Sequence, residues 1–316
     1  MPVHETKPEP RAAAPTRRPT SAGLEDMLGR ALPVLDHGFI RVIDYMGNDA
    51  AIVQAARVSY GAGVRKRSED AALIRYLMRH RHTTPFEMCA IKFHVKLPIF
   101  VARQWIRHRT ASVNEISARY SILEGEFYVP ARENLAAQAT TNRQGRGEPL
   151  SEREAAFVLD RLRNDAEAAH RHYRELLNEP AEGAAPDPAR RGLARELARI
   201  NLTLATYTEW YWKSDLHNLL HFLELRADPH AQYEIRAYSR RMLEVLAAWV
   251  PLAHQAFLDY RLGAVSFSAP MLAVLRRMLA GEHVEQPQSG LSRREFSELT
   301  AALADPPGSS HLVGRM

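Results

Sequence analysis

Residues 88–97 read Met-Cys-Ala-Ile-Lys-Phe-His-Val-Lys-Leu, with apolar side chains at every second position from Cys89 to Leu97. Because successive side chains of a β-strand point to opposite faces, this alternation predicts a long strand with one buried face. Pro98 follows directly and suits the start of the helix that leads into the next apolar run.

The segments on either side predict an α+β fold. Upstream, residues 39–45 alternate like a strand, and helices are predicted over 50–58 and from Ser68 onward. Downstream, residues 131–150 have the composition of an exposed loop. Helical spacing then predicts helices over 152–178, 187–213, 215–225 and 230–259. Strands early and helices late predict a mixed or antiparallel sheet followed by a long helical second half.

The two ends of the chain differ from the middle. Residues 1–32 begin with a stretch rich in Pro, Ala, Thr and Arg without periodicity, and we expect a disordered N-terminal extension there. One domain is expected over 33–265. Residues 266–316 hold one helical stretch, 271–279, and a polar end rich in Pro, Gly and Ser, so we treat them as a C-terminal appendage.

Composition limits the class of protein. The formal net charge of +5 is compatible with phosphate-bearing ligands, but it is too small over 316 residues to indicate nucleic acid by itself. The single cysteine, Cys89, excludes an intramolecular disulfide and a Cys-rich zinc module. The chain has neither a secretory leader pattern nor a run of about 18 apolar residues that could span a membrane. A cytoplasmic protein is expected, with no membrane and no nucleic acid among its partners.

The densest group of functional side chains is the basic stretch, residues 103–120. It contains Arg-His-Arg at 107–109 and Asn-Glu-Ile-Ser-Ala-Arg-Tyr at 114–120. Guanidinium groups bind phosphate through paired hydrogen bonds, and the neighbouring amide and hydroxyl groups suit recognition of a base or sugar. The basic stretch therefore predicts an anion site. A salt-bridged loop at a subunit contact is the alternative.

Two further candidates lie downstream. Arg226 follows the apolar run 219–225, where a cation either faces a ligand or caps its own helix, and spacing alone does not decide between the two. His217 and His221 have the spacing of a two-histidine metal site. Because no glutamate stands in the usual catalytic place between them, histidines that line a polar pocket are favoured over metal ligands.

A third candidate is the turn at 82–87, which reads His-Thr-Thr-Pro-Phe-Glu. Proline disfavours helical backbone in the residue before it, so Thr84 is predicted to be extended with its hydroxyl free to face a ligand.

These residues together resemble one family. Arg107-His108-Arg109, followed by seven residues and Ser117, is similar to the signature of the flavin-dependent thymidylate synthases. The chain also resembles that family in the turn at 82–87, in 93–105, in Asn114-Glu115 and Arg119-Tyr120, and in Leu-Arg-Ala-Asp-Pro-His-Ala-Gln at 225–232. The resemblance covers about residues 37–262.

The resemblance implies synthesis of dTMP from dUMP. The one-carbon donor would be 5,10-methylenetetrahydrofolate, the reductant NADPH, and the hydride carrier a tightly bound FAD. Four identical subunits would form a homotetramer with the sites at their contacts. No cysteine nucleophile would be needed, in agreement with the predicted place of Cys89 on the buried face of its strand.

The resemblance also assigns site residues by position. The catalytic set is Arg226, Ser117 and His82, with Arg226 against the uracil to favour its ionised ring and Ser117 orienting the nucleotide. The dUMP-binding set is Gln104, Trp105, Ile106, Arg107, Glu115, Ile116, Ser117, Ala118, Arg119, Arg199 and Arg226. The FAD-binding set is Ser59, Thr84, Arg107, His108, Arg109, Asn114, Glu115, Asp215, Leu216, His217 and His221. No metal is implied.

The chain departs from its relatives at one place. Some relatives carry Asn and Arg where this chain has Asp215 and His217, and Asn where it has His221. The contacts of the FAD adenine end are therefore left open.

Two other functions compete with this one. A nucleic-acid binder would place the arginines on phosphates and stack bases on Trp105 or Tyr120. A metal-dependent hydrolase would use His217, His221 and His230. The apolar run before the basic stretch favours an enclosed pocket over a nucleic-acid surface.

Overall fold

This computed structural model describes residues 17–58, 70–140, 145–179 and 185–304. Its strands are β1 (Ala31–Val34), β2 (Gly38–Met46), β3 (Ala90–Pro98), β4 (Ser112–Glu115), β5 (Ala136–Gln138), β6 (Arg146–Pro149) and β7 (Tyr207–Asp215). Its helices are α1 (Ala22–Glu25), α2 (Asp49–Val58), α3 (Asp70–Arg79), α4 (Thr84–Glu87), α5 (Ile99–Trp105), α6 (Glu152–Leu177), α7 (Arg195–Ala198), α8 (Leu216–Arg226), α9 (Tyr233–Trp249), α10 (Pro251–Phe257), α11 (Ala269–Leu279), α12 (Gln286–Ser289) and α13 (Arg293–Ala304). The chain divides into two compact units, Met1–His254 and Gln255–Met316.

An antiparallel sheet in the order β1-β2-β3-β7-β4 forms the centre of the first unit. Within it, Phe93 of β3 lies opposite Val42 of β2 and Trp212 of β7. Every second side chain from Cys89 to Leu97 is buried, with at most 1% of its surface exposed. The predicted strand and its buried face are confirmed, and so is the α+β class.

Strand β2 is also confirmed, and its buried face changes in the middle. Ile40 and Val42 are buried, but the next buried side chain is Tyr45. The pairing with β3 shifts register between Val42 and Asp44. An extra residue in one strand moves the side chains that follow to the other face, and Tyr45 thereby joins the core.

Helices α5, α8 and α9 cover the buried face of the sheet. The ring centroid of Trp105 at the end of α5 lies 5.6 Å from that of Trp212, 4.7 Å from that of Phe222 on α8 and 6.0 Å from that of Tyr238 on α9. The Tyr238 hydroxyl donates to the Lys96 carbonyl of β3 at 2.7 Å. Because aromatic rings bury large areas, this cluster fixes the end of α5 against α8.

The helix predicted over 187–213 is wrong. Residues in this range form the short helix α7, a 3₁₀ turn at Arg199–Asn201 and then strand β7. Thr208, Trp210, Trp212 and Ser214 are all buried, which is the period-two pattern of a strand. Aromatic and β-branched residues, which favour strands, fill this segment.

Two other predictions need correction. The predicted loop over 131–150 contains the antiparallel hairpin of β5 and β6, whose residues 141–144 lie outside the described residues. The predicted helix over 230–259 begins at Tyr233 and is interrupted at Val250, whose φ is −136° and ψ 70°. Val250 precedes Pro251, and proline disfavours helical backbone in the residue before it.

Four predicted helices are confirmed with small changes at their ends. Helices α2, α6 and α8 correspond to the predictions for 50–58, 152–178 and 215–225. The helix predicted from Ser68 onward is α3, which is described from Asp70; Ser68 and Glu69 lie outside the described residues. Ser151 begins α6 with a capping box, in which Ser151 and Glu154 bond each other's backbone N–H.

The disordered N-terminal extension predicted over 1–32 is wrong for its second half. Residues 1–16 lie outside the described residues, whereas α1 and the beginning of β1 fall before residue 33. Leu24 of α1 is fully buried, and the Ser21 hydroxyl donates to the Trp249 carbonyl at 2.7 Å. The sequence-based boundary failed because one short turn with a single buried leucine has no periodicity to detect.

The second unit is helical. Helix α11 corresponds to the predicted stretch 271–279, and α12 and α13 follow it. Together they bury a small core of Met271, Val274, Val284, Leu291 and Leu299. The division between the units falls before the predicted boundary at residue 265. Among the helices of the described residues, none has both the length and the hydropathy to cross a membrane.

Candidate active site

The basic stretch begins where α5 ends. Pro98 precedes the helix with extended backbone, at φ −63° and ψ 145°. After the last helical turn, the N–H of His108 donates to the Trp105 carbonyl at 2.9 Å, and the chain turns away from the helix axis. Trp105 lies fully in the core, so its predicted contact with a nucleotide could involve its backbone but not its side chain. Ile106, Arg107 and Arg109 are exposed.

His108 joins the basic stretch to the end of α8. The Nε of Arg226 donates to Nε2 of His108 at 3.0 Å. The His108 ring lies edge-on to Phe222, with centroids 4.9 Å apart, and 5.9 Å from the ring of His221. Among the described residues, Arg226 therefore bonds to a side chain of the basic stretch and to no carbonyl group of its own helix.

Electrostatics keep His108 neutral and leave Arg226 charged. Burial, followed by the charges of Arg226 and His221, lowers the pKa of His108 to about 4. Burial also lowers the pKa of Arg226 from its usual value, but arginine remains protonated in proteins. The pair thus carries one positive charge, on the guanidinium.

Gln104 lies one position before Trp105, near the end of α5. Its Oε1 is buried and has no hydrogen-bond partner among the described residues. An unpaired buried acceptor costs about 1–3 kcal/mol, so a ligand that donates to this oxygen would recover that cost. Gln104 therefore fits the predicted nucleotide-binding set.

Residues 112–115 form strand β4. β4 pairs with β7, which places Asn114 opposite Tyr211 and Glu115 opposite Trp210. The buried hydroxyl of Thr208 donates to Glu115 Oε1 at 2.7 Å. Thr208 of β7 therefore orients Glu115 through Oε1.

The turn after β4 carries the next candidate residues. Ser117 Oγ accepts the backbone N–H of Arg119 at 3.3 Å, and the guanidinium of Arg119 pairs with Glu196 of α7 at 3.0 Å. Ala118 is buried in a small cluster with Tyr173, so its side chain supports the turn from inside. Ile116 is exposed, as is Arg199 at the start of the 3₁₀ turn after α7.

The turn at 82–87 contains the short helix α4, which contacts α8. Thr84 is the first residue of that helix, so the prediction of extended backbone at this position is wrong; Pro85 is tolerated because it lies in the first turn. His82 is exposed, and its ring centroid lies 5.7 Å from the ring centroid of Tyr76. Arg81, just before it, has a positive φ of 58°, a backbone conformation that is uncommon outside glycine.

The start of α8 holds the residues at which the chain departs from its relatives. Asp215 caps the helix: one carboxylate oxygen accepts the N–H of Asn218 at 2.9 Å and the other accepts its side-chain amide at 2.7 Å. Leu216 is fully buried, whereas His217 is partly exposed and His221 exposed. Within the described ranges, no group of three or more His, Cys, Asp and Glu side chains is placed to hold a metal ion.

Cys89 lies in the core, as predicted. It is fully buried, and burial with the nearby Asp49 raises the pKa of its thiol to about 12. A thiol with this pKa stays protonated at neutral pH and is a poor nucleophile.

The candidate residues thus fall into four groups: the α5 end with Arg226, the β4 turn with α7, α4 with the rings before it, and the start of α8. Ser59 lies outside the described residues. Sequence reasoning missed Thr208, Glu196 and Phe222, which support Glu115, Arg119 and His108. The alternation of β7 was the signal that could have placed Thr208 on the buried face. No local sequence pattern could have identified Glu196 and Phe222 as partners, because each contact depends on how distant segments pack.

Comparison with known proteins gives consistent relatives. The family model described as "Thymidylate synthase complementing protein" matches residues 41–252. A flavin-dependent thymidylate synthase of Gluconobacter oxydans (strain 621H) is 65% identical over 288 residues, which cover 91% of this chain and 92% of that protein. Another, of Ruegeria pomeroyi, is 62% identical over 285 residues, covering 90% and 92%. Among solved structures, the UMP/dUMP methylase PolB from Streptomyces cacaoi bound with 5-Br UMP is 34% identical with a TM-score of 0.62, covering 73% of this chain and 98% of that chain.

Proposed function

Because this chain belongs to the flavin-dependent thymidylate synthases, it methylates dUMP to dTMP with a flavin cofactor, and we propose how its residues divide that reaction. The flavin is FAD, the reductant is NADPH and the one-carbon donor is 5,10-methylenetetrahydrofolate. Because the chain belongs to this family, we favour this reaction over the two alternative functions, nucleic-acid binding and metal-dependent hydrolysis. A cytoplasmic location stays a prediction from the sequence.

The observation that carries the proposal is the packing of the α5 end on α8. This packing brings Arg226 to His108, which stands between Arg107 and Arg109 in the sequence. Near the end of α5, the buried Oε1 of Gln104 has no hydrogen-bond partner among the described residues. The structural relative PolB, whose fold is similar, has been solved with 5-Br UMP and with 5-Br dUMP. A pyrimidine nucleotide offers an anionic phosphate and a base with both donors and acceptors, which this set of groups matches.

The nucleotide is held by the dUMP-binding set in this proposal. Gln104, Arg107, Arg119 and Arg199 bind it with side chains, and Trp105 and Ala118 contribute backbone only, since their side chains are buried. Ser117 orients the nucleotide. Within the described residues, its hydroxyl accepts the backbone N–H of Arg119, and a serine nucleophile needs a base that takes its proton.

Arg226 activates the uracil. A guanidinium beside the imide stabilises the anion that forms when the N3 proton leaves, and the negative charge spreads into the ring. Carbon C5 then becomes more electron-rich and attacks the one-carbon donor more readily. Because this activation comes from a cation, no covalent bond from the protein to the ring is needed, in agreement with the inert thiol of Cys89.

The flavin-binding set fits its cofactor in part. Arg107, Arg109 and His108 offer donors for a pyrophosphate, and Asn114 offers an amide for a ring or ribose. Asp215 fits less well, because both of its carboxylate oxygens are used by Asn218 in capping α8. We therefore assign Asp215 to the shape of the helix start and not to direct contact. When bound, reduced FAD supplies the hydride of the reaction.

We also propose a homotetramer. The exposed apolar side chains Phe157 and Leu162 lie on α6, and Ile200 and Leu204 lie in the segment just before β7. Each of the four has at least 45% of its surface exposed. Large exposed apolar side chains of this number suit a subunit contact. Light scattering on Phe157→Glu, with Asp165→Ala on the same helix as control, is expected to give a smaller assembly for the first variant alone.

An anaerobic experiment tests the cofactor assignments. The purified protein is reduced with NADPH, then mixed with dUMP and methylenetetrahydrofolate while flavin absorbance and dTMP are measured. Reoxidation of the flavin that requires both substrates and yields dTMP is the expected result. A colourless protein that binds no added FAD and makes no dTMP would contradict the proposal.

A further inference from the structure

The contact between His108 and Arg226 fixes the state of the imidazole. The Nε of Arg226 lies 3.0 Å from His108 Nε2. A guanidinium nitrogen only donates, so Nε2 of His108 must be the unprotonated acceptor, and the ring proton must lie on Nδ1. His108 is therefore a neutral imidazole with one defined tautomer.

The surroundings of His108 oppose its protonation. The groups that face it from α8 are the cation of Arg226, the titratable ring of His221 and the apolar ring of Phe222. Burial, Arg226 and His221, in that order, lower the pKa of His108 to about 4. At neutral pH the imidazole stays an acceptor.

The ring is also held in place without any ligand. Its edge contact with Phe222 has an interplanar angle of 74°, and its backbone N–H is bonded to the Trp105 carbonyl at 2.9 Å. Trp105 and Phe222 belong to the buried aromatic cluster. His108 is therefore a rigid acceptor built on the core, whereas Arg226 is a long side chain with many rotamers.

We propose that His108 is a positioning residue for Arg226: its Nε2 binds the guanidinium through Nε and leaves both Nη groups to the uracil of dUMP. This inference rests on the proposed role of Arg226. A carboxylate in the same place would orient the guanidinium too, but its negative charge would offset the cation. A neutral imidazole orients Arg226 and preserves its full charge for a developing anion. The Nδ1–H has no hydrogen-bond partner among the described residues, and it would be a donor for the flavin when that cofactor is bound.

Two substitutions separate these two nitrogens. The amide of glutamine can place an oxygen near the position of Nε2, so His108→Gln keeps an acceptor for Arg226. The shorter asparagine places its amide near Nδ1, so His108→Asn keeps a donor on the flavin side and loses the acceptor. The dissociation constant of dUMP is measured from the absorbance change of the oxidised holoenzyme, and kcat and flavin content are measured beside it.

We expect the glutamine variant to bind dUMP roughly tenfold more tightly than the asparagine variant, the loss that follows from one hydrogen bond to a charged group. Flavin content should follow the opposite order. Equal dUMP affinities, or tighter binding by the asparagine variant, would overturn the inference. If the wild type itself neither binds dUMP nor forms dTMP, the proposed function fails and this inference with it.

A measurement on the wild type covers the case in which a variant does not fold. Imidazole ¹⁵N spectra of the histidine-labelled holoenzyme, with His108 identified by the signal lost in either variant that does fold or by contact with labelled Arg226, report which nitrogen carries the proton. An unprotonated Nε2 at neutral pH is expected. A proton on Nε2 would overturn the inference.

Discussion

Replacing Thr208 with valine removes one hydroxyl from beneath Glu115 and leaves the shape of the side chain almost unchanged. Thr208 is 4% exposed, and its Oγ1 donates to Glu115 Oε1 at 2.7 Å. Hydrogen bonds to charged groups contribute about 1.5–3 kcal/mol. Because Glu115 is exposed and water can replace part of the bond, we expect a loss of about 1–2 kcal/mol, or about 5- to 30-fold in an affinity that depends on Glu115.

The assay is titration of the oxidised flavoprotein with dUMP, followed by flavin absorbance. Thr208→Ser is the matched control, since serine keeps the hydroxyl and loses only a methyl group. Far-UV circular dichroism and thermal unfolding establish that both variants are folded. We expect the valine variant to lose clearly more affinity than the serine variant. Equal affinities of the two folded variants would refute the idea that Thr208 orients Glu115 for the nucleotide.

Three further predictions concern the chemistry of the site and the sheet. Arg226→Ala is expected to abolish dTMP formation while the purified protein keeps its flavin absorbance; retained turnover would contradict the uracil role. Cys89→Ala is expected to keep its turnover, because burial raises the pKa of the thiol to about 12, and to lose only about 1 kcal/mol of stability. A folded but inactive variant would speak against that. The hydrogen bond from His94, followed by neighbouring cations, lowers the pKa of Glu209 below its usual 4.5, so its stabilising effect is present above that pH and is lost as the pH falls through the folded value. Between about pH 5 and about pH 3, the free energy of unfolding measured with urea should therefore fall more for the wild type than for Glu209→Gln. Parallel plots of this free energy against pH for the two proteins would contradict the prediction.

The parts of the fold that the sequence predicted are those in which a local pattern repeats. Strand β3 has four buried side chains at alternate positions, so its face could be assigned before its neighbours were known. Cys89 shares that face, and its burial and inert thiol follow from the same alternation. Helix α6 was equally clear, because it is long and its start is marked by Ser151 and Glu154.

Strand β7 shows why the other elements were missed. The helix predicted over 187–213 covers most of β7, although Trp210 and Trp212 alternate with Tyr211 and Lys213. Burial alternates over eight residues of β7, from Thr208 to Asp215, but a charged and apolar segment without a strong turn signal precedes them. The strand propensity of its aromatic residues and burial on a sheet that forms between distant strands together made this segment a strand.

The site shows a different limit. Residue types at the site could be predicted by resemblance, because the family signature fixes them along the chain. Their supporting contacts could not, since Thr208 is 93 positions from Glu115 and Arg226 is 118 positions from His108. No periodicity within one element relates positions that far apart. They are brought together by the strand order β3-β7-β4 and by the packing of α5 on α8. The orientation of each charged side chain, which decides whether it can bind a nucleotide or activate its base, is therefore a property of the tertiary structure even where the residue itself is marked in the sequence.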